Sequence, residues 1–370
     1  MSWIESSRLA GIQLSLIRRV MQSAPEGAIN LALGELGFPM PLGLKEIANK
    51  LLLDGNPCYT PNAGLPETRE AIAKTYSQTS ANQVCVCNGA EEALYIALSA
   101  LVNKDDIIAI PDPDYPAYPS LCSMFGANVV RLPVINYFKD IDWVKWELIL
   151  KSGVKAVLLS SPSNPSGFTF NEGEAERFGA LCNRYGIIVV IDEIYASLYF
   201  DEAPICLQGS VEHLIRIGGV SKSHCLSGWR IGWIIAPEEI ITSMIKAKQY
   251  ISTCSHWLSQ KLTVEALSEP AIAASIRQLL KSNHIYITNI LNTKLPPFAT
   301  AAHVPEATPY IMLKNQNPDD LDVARQLANA GVITVPGRAF GDSGKGWIRL
   351  NIGVELPLLE RATAILYQQN

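Results

Sequence analysis

Between residues 218 and 233 the chain reads GGVSKSHCLSGWRIGW, with Lys222 directly after Ser221 and Arg230 eight residues further on. A lysine in a Gly- and Ser-rich turn is poorly placed for a surface ion pair and well placed as a covalent amine. An amine that condenses with an aldehyde must be partly deprotonated, which burial and cationic neighbours favour. The Ser221 hydroxyl and the Arg230 fork suit an anionic group, Arg offering bidentate contacts to phosphate. Together the three ask for a phosphorylated aldehyde. Two other stretches support this. GIIVVIDEIY is a hydrophobic run that ends in Asp192, with Tyr195 three residues on, and chemistry in α/β sheets collects at the carboxyl ends of strands. NGAEEALYIAL, residues 88–98, opens a helix directly after the short run VCVC, so its first turn offers free backbone amides and a positive dipole end to a phosphate.

The elements that must position these groups are legible as pattern. From about residue 43 to 236 helical segments alternate with short Val- and Ile-rich runs, VCVC, DIIAIP, NVVRLPV, KAVLLS, GIIVVID, HLIRIGGV and RIGWIIA. Runs this short and hydrophobic on both faces are what buried parallel strands look like, so the fold class is α/β with a mostly parallel, doubly wound sheet. After Pro237 the texture changes to longer helical patterns over 238–252 and 257–293, then PYIMLKN, LDVARQLANAGV, ITVPGRAFG and WIRLNIG, which read as strand, helix, strand and strand. These form a smaller α+β unit with its own core. The expected division is 1–42 as an N-terminal arm and part of the small domain, 43–255 as the large domain, and 256–370 as the small C-terminal domain. A cleft between the two is the default ligand site.

The chain has 370 residues, 48% hydrophobic and 18% charged, with a net charge of −5 that is not gathered into long runs of one sign. That describes a globular protein of more than one domain and disfavours nucleic acid or an anionic membrane as partner. The eight cysteines lack metal-ligand or disulfide-scaffold spacing and are expected to be reduced core thiols, Cys85 and Cys87 sharing one face of a strand. No metal site is expected. The N-terminal stretch lacks the pattern of a secretory leader and no stretch is long and apolar enough to span a membrane, so a cytoplasmic location is expected.

From INLALGELGF at residue 29 to WIRLNIG ending at residue 353 the chain resembles the fold type I pyridoxal-phosphate enzymes of the aspartate-aminotransferase-like class I/II group. The resemblance implies that the cofactor is pyridoxal 5'-phosphate and that Lys222 forms the Schiff base with it, with Ser221 and Arg230 on the cofactor phosphate. Asp192 is implied as partner of the pyridinium nitrogen, and Tyr195 and Asn164, in SPSNPSG, as donors to the ring 3-hydroxyl. Gly89, Ala90 and Glu91 match the phosphate-binding loop, and Tyr115 in PDPDYPAYP matches the aromatic that stacks on the ring. Arg349 matches the arginine that clamps the substrate α-carboxylate, joined there by Asn164, and Gly34 in LGELGF matches the backbone that closes over the substrate. Tyr59 matches a tyrosine that reaches the phosphate of the neighbouring subunit, which implies a homodimer. Taken singly, Asn164-Pro165 reads as a turn, Tyr115 as a packed aromatic, and Arg349 as a solvated charge on an edge strand.

The implied reaction is amino-group transfer between an α-amino acid and a 2-oxo acid, with Lys222, Asp192 and Tyr195 as catalytic groups. Departures from the family pattern keep two other readings open. Leu36-Gly37 stand where Pro-Asp is usual, His224 stands where an aromatic is usual, and CSHWLSQ with His256 and Trp257 replaces small polar residues. His224 reads either as a buried histidine donating to a backbone carbonyl or as a second acid/base group. These changes motivate an elimination lyase or cyclase on the same scaffold, capreomycidine-synthase-like, acting on a hydroxylated arginine. A non-catalytic relative that binds the cofactor as a ligand is the remaining reading. No second arginine is evident for a dicarboxylate side chain, which disfavours an aspartate-specific enzyme.

Overall fold

The computed structural model describes residues 5, 6 and 8–369. Its largest sheet has eight strands in the spatial order Val84–Cys87, Gly232–Ile235, Leu214–Gly219, Ile188–Asp192, Val154–Ser160, Ile107–Asp112, Asn128–Ile135 and Asp140–Ile141. The five strands from Leu214–Gly219 to Asn128–Ile135 run parallel. Gly232–Ile235 runs against both of its neighbours, and Asp140–Ile141 against Asn128–Ile135. The apolar run of each central strand is buried on both faces. Helices Ala90–Leu101, Ala117–Met124 and Glu238–Ile251 pack on one face and helices Trp143–Leu150 and Glu172–Tyr185 on the other. Local signals set the helix ends: Glu172–Tyr185 opens with the reciprocal Asn171 and Glu174 bonds (3.0 and 2.9 Å) and closes on Gly186 at φ 63°.

A second sheet of four antiparallel strands runs in the order Ala299–His303, Tyr310–Asn315, Trp347–Asn351 and Val335–Pro336. Its core includes Ile311, Leu350, Ile276 and Leu327. The N-terminal segment joins this unit, since Ile29–Asn30 pairs in parallel with Val332–Ile333.

Helix Trp257–Ser268 buries Leu262 and Ala266 against Val84, Val86 and Ile72, on the large sheet's side, and the switch to the C-terminal core comes at helix Pro270–Thr293 through Ile276 and Leu280. Helical periodicity shows that a face is buried, not against which core. One expectation, on the cysteines, needs correction. The cysteines are all unpaired, but Cys58 and Cys206 are exposed and Cys225 and Cys254 only partly buried, so the core assignment holds for Cys85, Cys87, Cys122 and Cys182. Among the described residues no helix is long and apolar enough to cross a membrane, and no cluster of three or more His, Cys, Asp or Glu is spaced to hold a metal.

Candidate active site

A cleft of about 430 Å³ opens between the two sheets and gathers Lys222, Asp192, Tyr195, Ala90, Glu91, Tyr115, Asn164, Ser221, Arg230, Arg349 and Gly34. They come from segments spread over the whole chain. Asp192 is the last residue of its strand and is buried; Oδ1 accepts the Ile194 amide at 3.1 Å and Oδ2 the Tyr118 hydroxyl at 3.2 Å. Loss of water pushes its carboxyl up to about 7 against the pull of those donors, with Glu91 and Glu193 adding to the rise. Among the described residues no cation pairs with it.

Lys222 follows strand Leu214–Gly219 in the turn that the glycines and serines open. Burial brings its ammonium down to about 8, opposed by Glu35 and Asp192 and helped by Arg230 and Arg349. An appreciable fraction of the amine is therefore free near neutral pH, as a nucleophile and base requires.

Arg230 sits in the left-handed region at φ 52° and donates from Nη1 to the Ser227 carbonyl at 3.1 Å. Its guanidinium lies over Gly89: a Cβ there would meet Nη2 at 2.4 Å, and Gly89 itself has φ +90°. Gly89 does not line the cleft but leads into helix Ala90–Leu101, whose first residues Ala90 and Glu91 do. This entry is braced from below, because Glu92 accepts the Asn88 amide at 2.5 Å and pairs with the buried Lys248 at 3.0 Å.

Arg349 occupies an interior strand, registered opposite Met312 on one side and Val335 on the other, so the solvated edge reading does not apply. Only 1% exposed, it stacks 4.2 Å from the Tyr310 ring centroid, donates from Nη1 to Asn164 Oδ1 at 2.8 Å and from Nη2 to the Ala32 carbonyl, and leaves Nε without a partner among the described residues. Tyr195 and Tyr310 share a hydroxyl hydrogen bond of 2.5 Å. Gly34 is required beside them, since a Cβ would meet the Tyr310 hydroxyl at 2.4 Å. Tyr115 donates its hydroxyl to Glu91 at 3.3 Å and stands edge-on to Tyr118.

Tyr59 is 88% exposed and outside the cleft lining. His224, His256 and Trp257 also lie outside it. His224 is buried, bonded to Ser223 at 2.7 Å and to the Ala266 backbone, and burial holds its imidazole down at about 4, so it stays neutral; this fits the first of its two readings. His256 bonds Ser259, and Trp257 packs against Gly55. Leu36 is buried and Gly37 donates to the Gly353 carbonyl at 2.7 Å, which ties the altered N-terminal motif to the small sheet.

Sequence reasoning missed Arg18, Glu35, Tyr118, Ser160 and Tyr310, all in the cleft wall. Tyr118 follows Tyr115 by one helical turn and was the most accessible of these. Arg18 comes from helix Leu16–Gln22 and is a further arginine where none had been evident.

The model of the family "Aminotransferase class I and II" matches residues 26–366. The chain belongs to that family. It is 29% identical to a probable aspartate aminotransferase of Methanocaldococcus jannaschii over 98% of each chain, and 30% identical to the aspartate aminotransferase of Thermotoga maritima over 91% of this chain and 90% of that one. A solved structure of an aspartate aminotransferase from Thermotoga maritima covers 98% of this chain and 99% of its own at a TM-score of 0.89 and 27% identity. The chain is thus a fold type I aminotransferase, of a family that works with pyridoxal phosphate.

Proposed function

We propose that this cleft holds pyridoxal 5'-phosphate and that Lys222 uses it to move the amino group of an α-amino acid to a 2-oxo acid. The observation that carries the reading is the juxtaposition, in one cleft, of a lysine amine lowered to about 8 with a buried Asp192 that makes no ion pair among the described residues. The residues fit the group: Gly89 leaves a cradle under Arg230 that a Cβ would fill, while Arg349, whose Nε has no partner among the described residues, keeps a donor for a substrate carboxylate. When bound, pyridoxal phosphate supplies an aldehyde for amines and a ring that accepts the electrons left when an α-proton departs.

Each remaining task falls to this chain. Ser221, Arg230 and the amides at Ala90 and Glu91 hold the phosphate beside Gly89. Asp192 holds a proton on the ring nitrogen, Tyr195 and Asn164 address the 3-hydroxyl, and Tyr115 covers the ring. Lys222 Nζ takes the α-proton and returns it. Arg349 clamps the α-carboxylate, while Gly34 leaves space for substrate under the Tyr310 hydroxyl. Two copies form the working enzyme, the exposed Tyr59 of each completing the other's phosphate site. The large domain then runs from 43 to the end of helix Trp257–Ser268, with 1–42 and the remainder forming the small domain. The unpaired cysteines fit a reducing, cytoplasmic compartment.

A single-turnover mixture of cofactor-loaded protein with individual amino acids tests this, with cofactor state and products followed by mass spectrometry. Aminated cofactor with a 2-oxo acid is expected. Regenerated aldehyde cofactor with a dehydrated or cyclised product would overturn it.

A further inference from the structure

We propose that Asp114 is a positioning residue of the cleft, a second buried carboxylate that fixes Tyr115 directly and Asn164 through Ser160; the proposal rests on the cofactor reading above. Asp114 lies in the turn after strand Ile107–Asp112, is 1% exposed, and makes no ion pair among the described residues. Its Oδ1 accepts the Ser160 hydroxyl at 2.5 Å and the Tyr115 amide at 2.7 Å, and Oδ2 accepts the Ser160 amide at 3.2 Å. Ser160 Oγ in turn accepts the Asn164 amide at 3.1 Å. Asn164 holds Arg349 Nη1 at 2.8 Å, so one chain of hydrogen bonds runs from Asp114 to the proposed carboxylate clamp.

A carboxylate buried without a cation is costly unless its bonds are useful, and here each bond ends on a residue that faces the cleft. The titratable groups that act on it are Tyr115 and Tyr118 from the following turn and helix, and Asp192 from a nearby strand end, to which Tyr118 donates at 3.2 Å. Burial pushes the Asp114 carboxyl up to about 7, with the charge of Asp192 adding to the rise. When ionised, Asp114 favours proton binding by its neighbours in the cleft.

The test uses the full-length, cofactor-loaded protein and follows the visible absorbance of bound pyridoxal phosphate against pH, together with its affinity for the apoprotein. Asp114→Asn keeps Oδ1 as acceptor for the Ser160 hydroxyl and the Tyr115 amide but removes the charge and the Oδ2 acceptor of the Ser160 amide, and should move the absorbance midpoint down by about half a pH unit or more. Ser160→Ala removes both the hydroxyl that donates to Asp114 and the link to Asn164, and should weaken cofactor binding about fivefold or more. If Asp114→Asn does not fold, the Ser160→Ala affinity decides alone. Wild-type midpoint and affinity in both variants, even with a lower melting temperature, would overturn the proposal. Wild-type protein that takes up no pyridoxal phosphate would overturn the reading beneath it as well.

Discussion

Gly89→Ala tests the phosphate cradle by adding one methyl group. Gly89 has φ +90° and ψ 163°, a region open essentially to glycine alone, so a side chain there costs about 1–3 kcal/mol of stability. The new Cβ would also lie 2.4 Å from Arg230 Nη2 and 2.9 Å from Cζ. That contact is with the end of a flexible side chain, so the guanidinium swings away and the clash itself adds little to unfolding. What is lost is its bond to the phosphate, about 1.5–3 kcal/mol for a charged hydrogen bond, or roughly 10- to 150-fold in affinity. The assay is a titration of apoprotein with pyridoxal phosphate, beside thermal unfolding without cofactor. Gly89→Ala should melt lower and bind more weakly, Arg230→Ala should bind more weakly to a similar degree, and the double variant should lose less than the sum because both act through one guanidinium. Undiminished affinity in Gly89→Ala, or strictly additive losses, would refute the reasoning.

Asp192→Asn removes the counter-charge for the ring nitrogen and should lower kcat roughly a hundredfold or more, measured under cofactor saturation; unchanged kcat would remove Asp192 from the chemistry. His224 bears on acid stability. Its folded value of about 4 lies below the usual 6.5, so the unfolded chain takes up the proton first. Its contribution is complete above pH 6.5 and is lost as pH falls toward 4, about 2 kcal/mol between pH 7 and 5. His224→Gln should flatten that limb in denaturant titrations, and parallel limbs in the two proteins would assign the proton to another group. Mixing Tyr59→Phe with Lys222→Ala protein should restore activity by pairing one intact site per dimer; a mixture no more active than its parts would speak against a shared site. Arg18→Ala should raise KM for dicarboxylic amino acids more than for neutral ones, and an equal effect on both would leave Arg18 outside substrate recognition.

Much of the site was readable because its parts are local strings. Lys222 with Ser221 and Arg230, Asp192 at a strand end, and Gly89 before a helix each declare their chemistry within a dozen residues. The apolar runs likewise announced a doubly wound sheet, because strands buried on both faces have no polar side. What stayed hidden depends on pairing across long separations. Arg349 is interior only because Met312 and Val335 flank it, and Tyr310 reaches Tyr195 only through a fold that brings the two sheets together. Arg18 and Glu35 carry no motif of their own and enter the cleft because the N-terminal segment pairs with Val332–Ile333. The seven residues that separate Lys222 from Arg230 were legible as spacing, but the left-handed backbone that turns Arg230 over Gly89 was not.

The central claim is that Lys222 Nζ is the atom that bonds the cofactor. Borohydride reduction of the protein loaded with pyridoxal phosphate, followed by proteolysis and peptide mass spectrometry, reads that bond directly. The account predicts one pyridoxyl-bearing peptide, modified at Lys222 and absent from Lys222→Ala protein. A modification on another lysine, or unmodified Lys222 in protein that has taken up the cofactor, would contradict it.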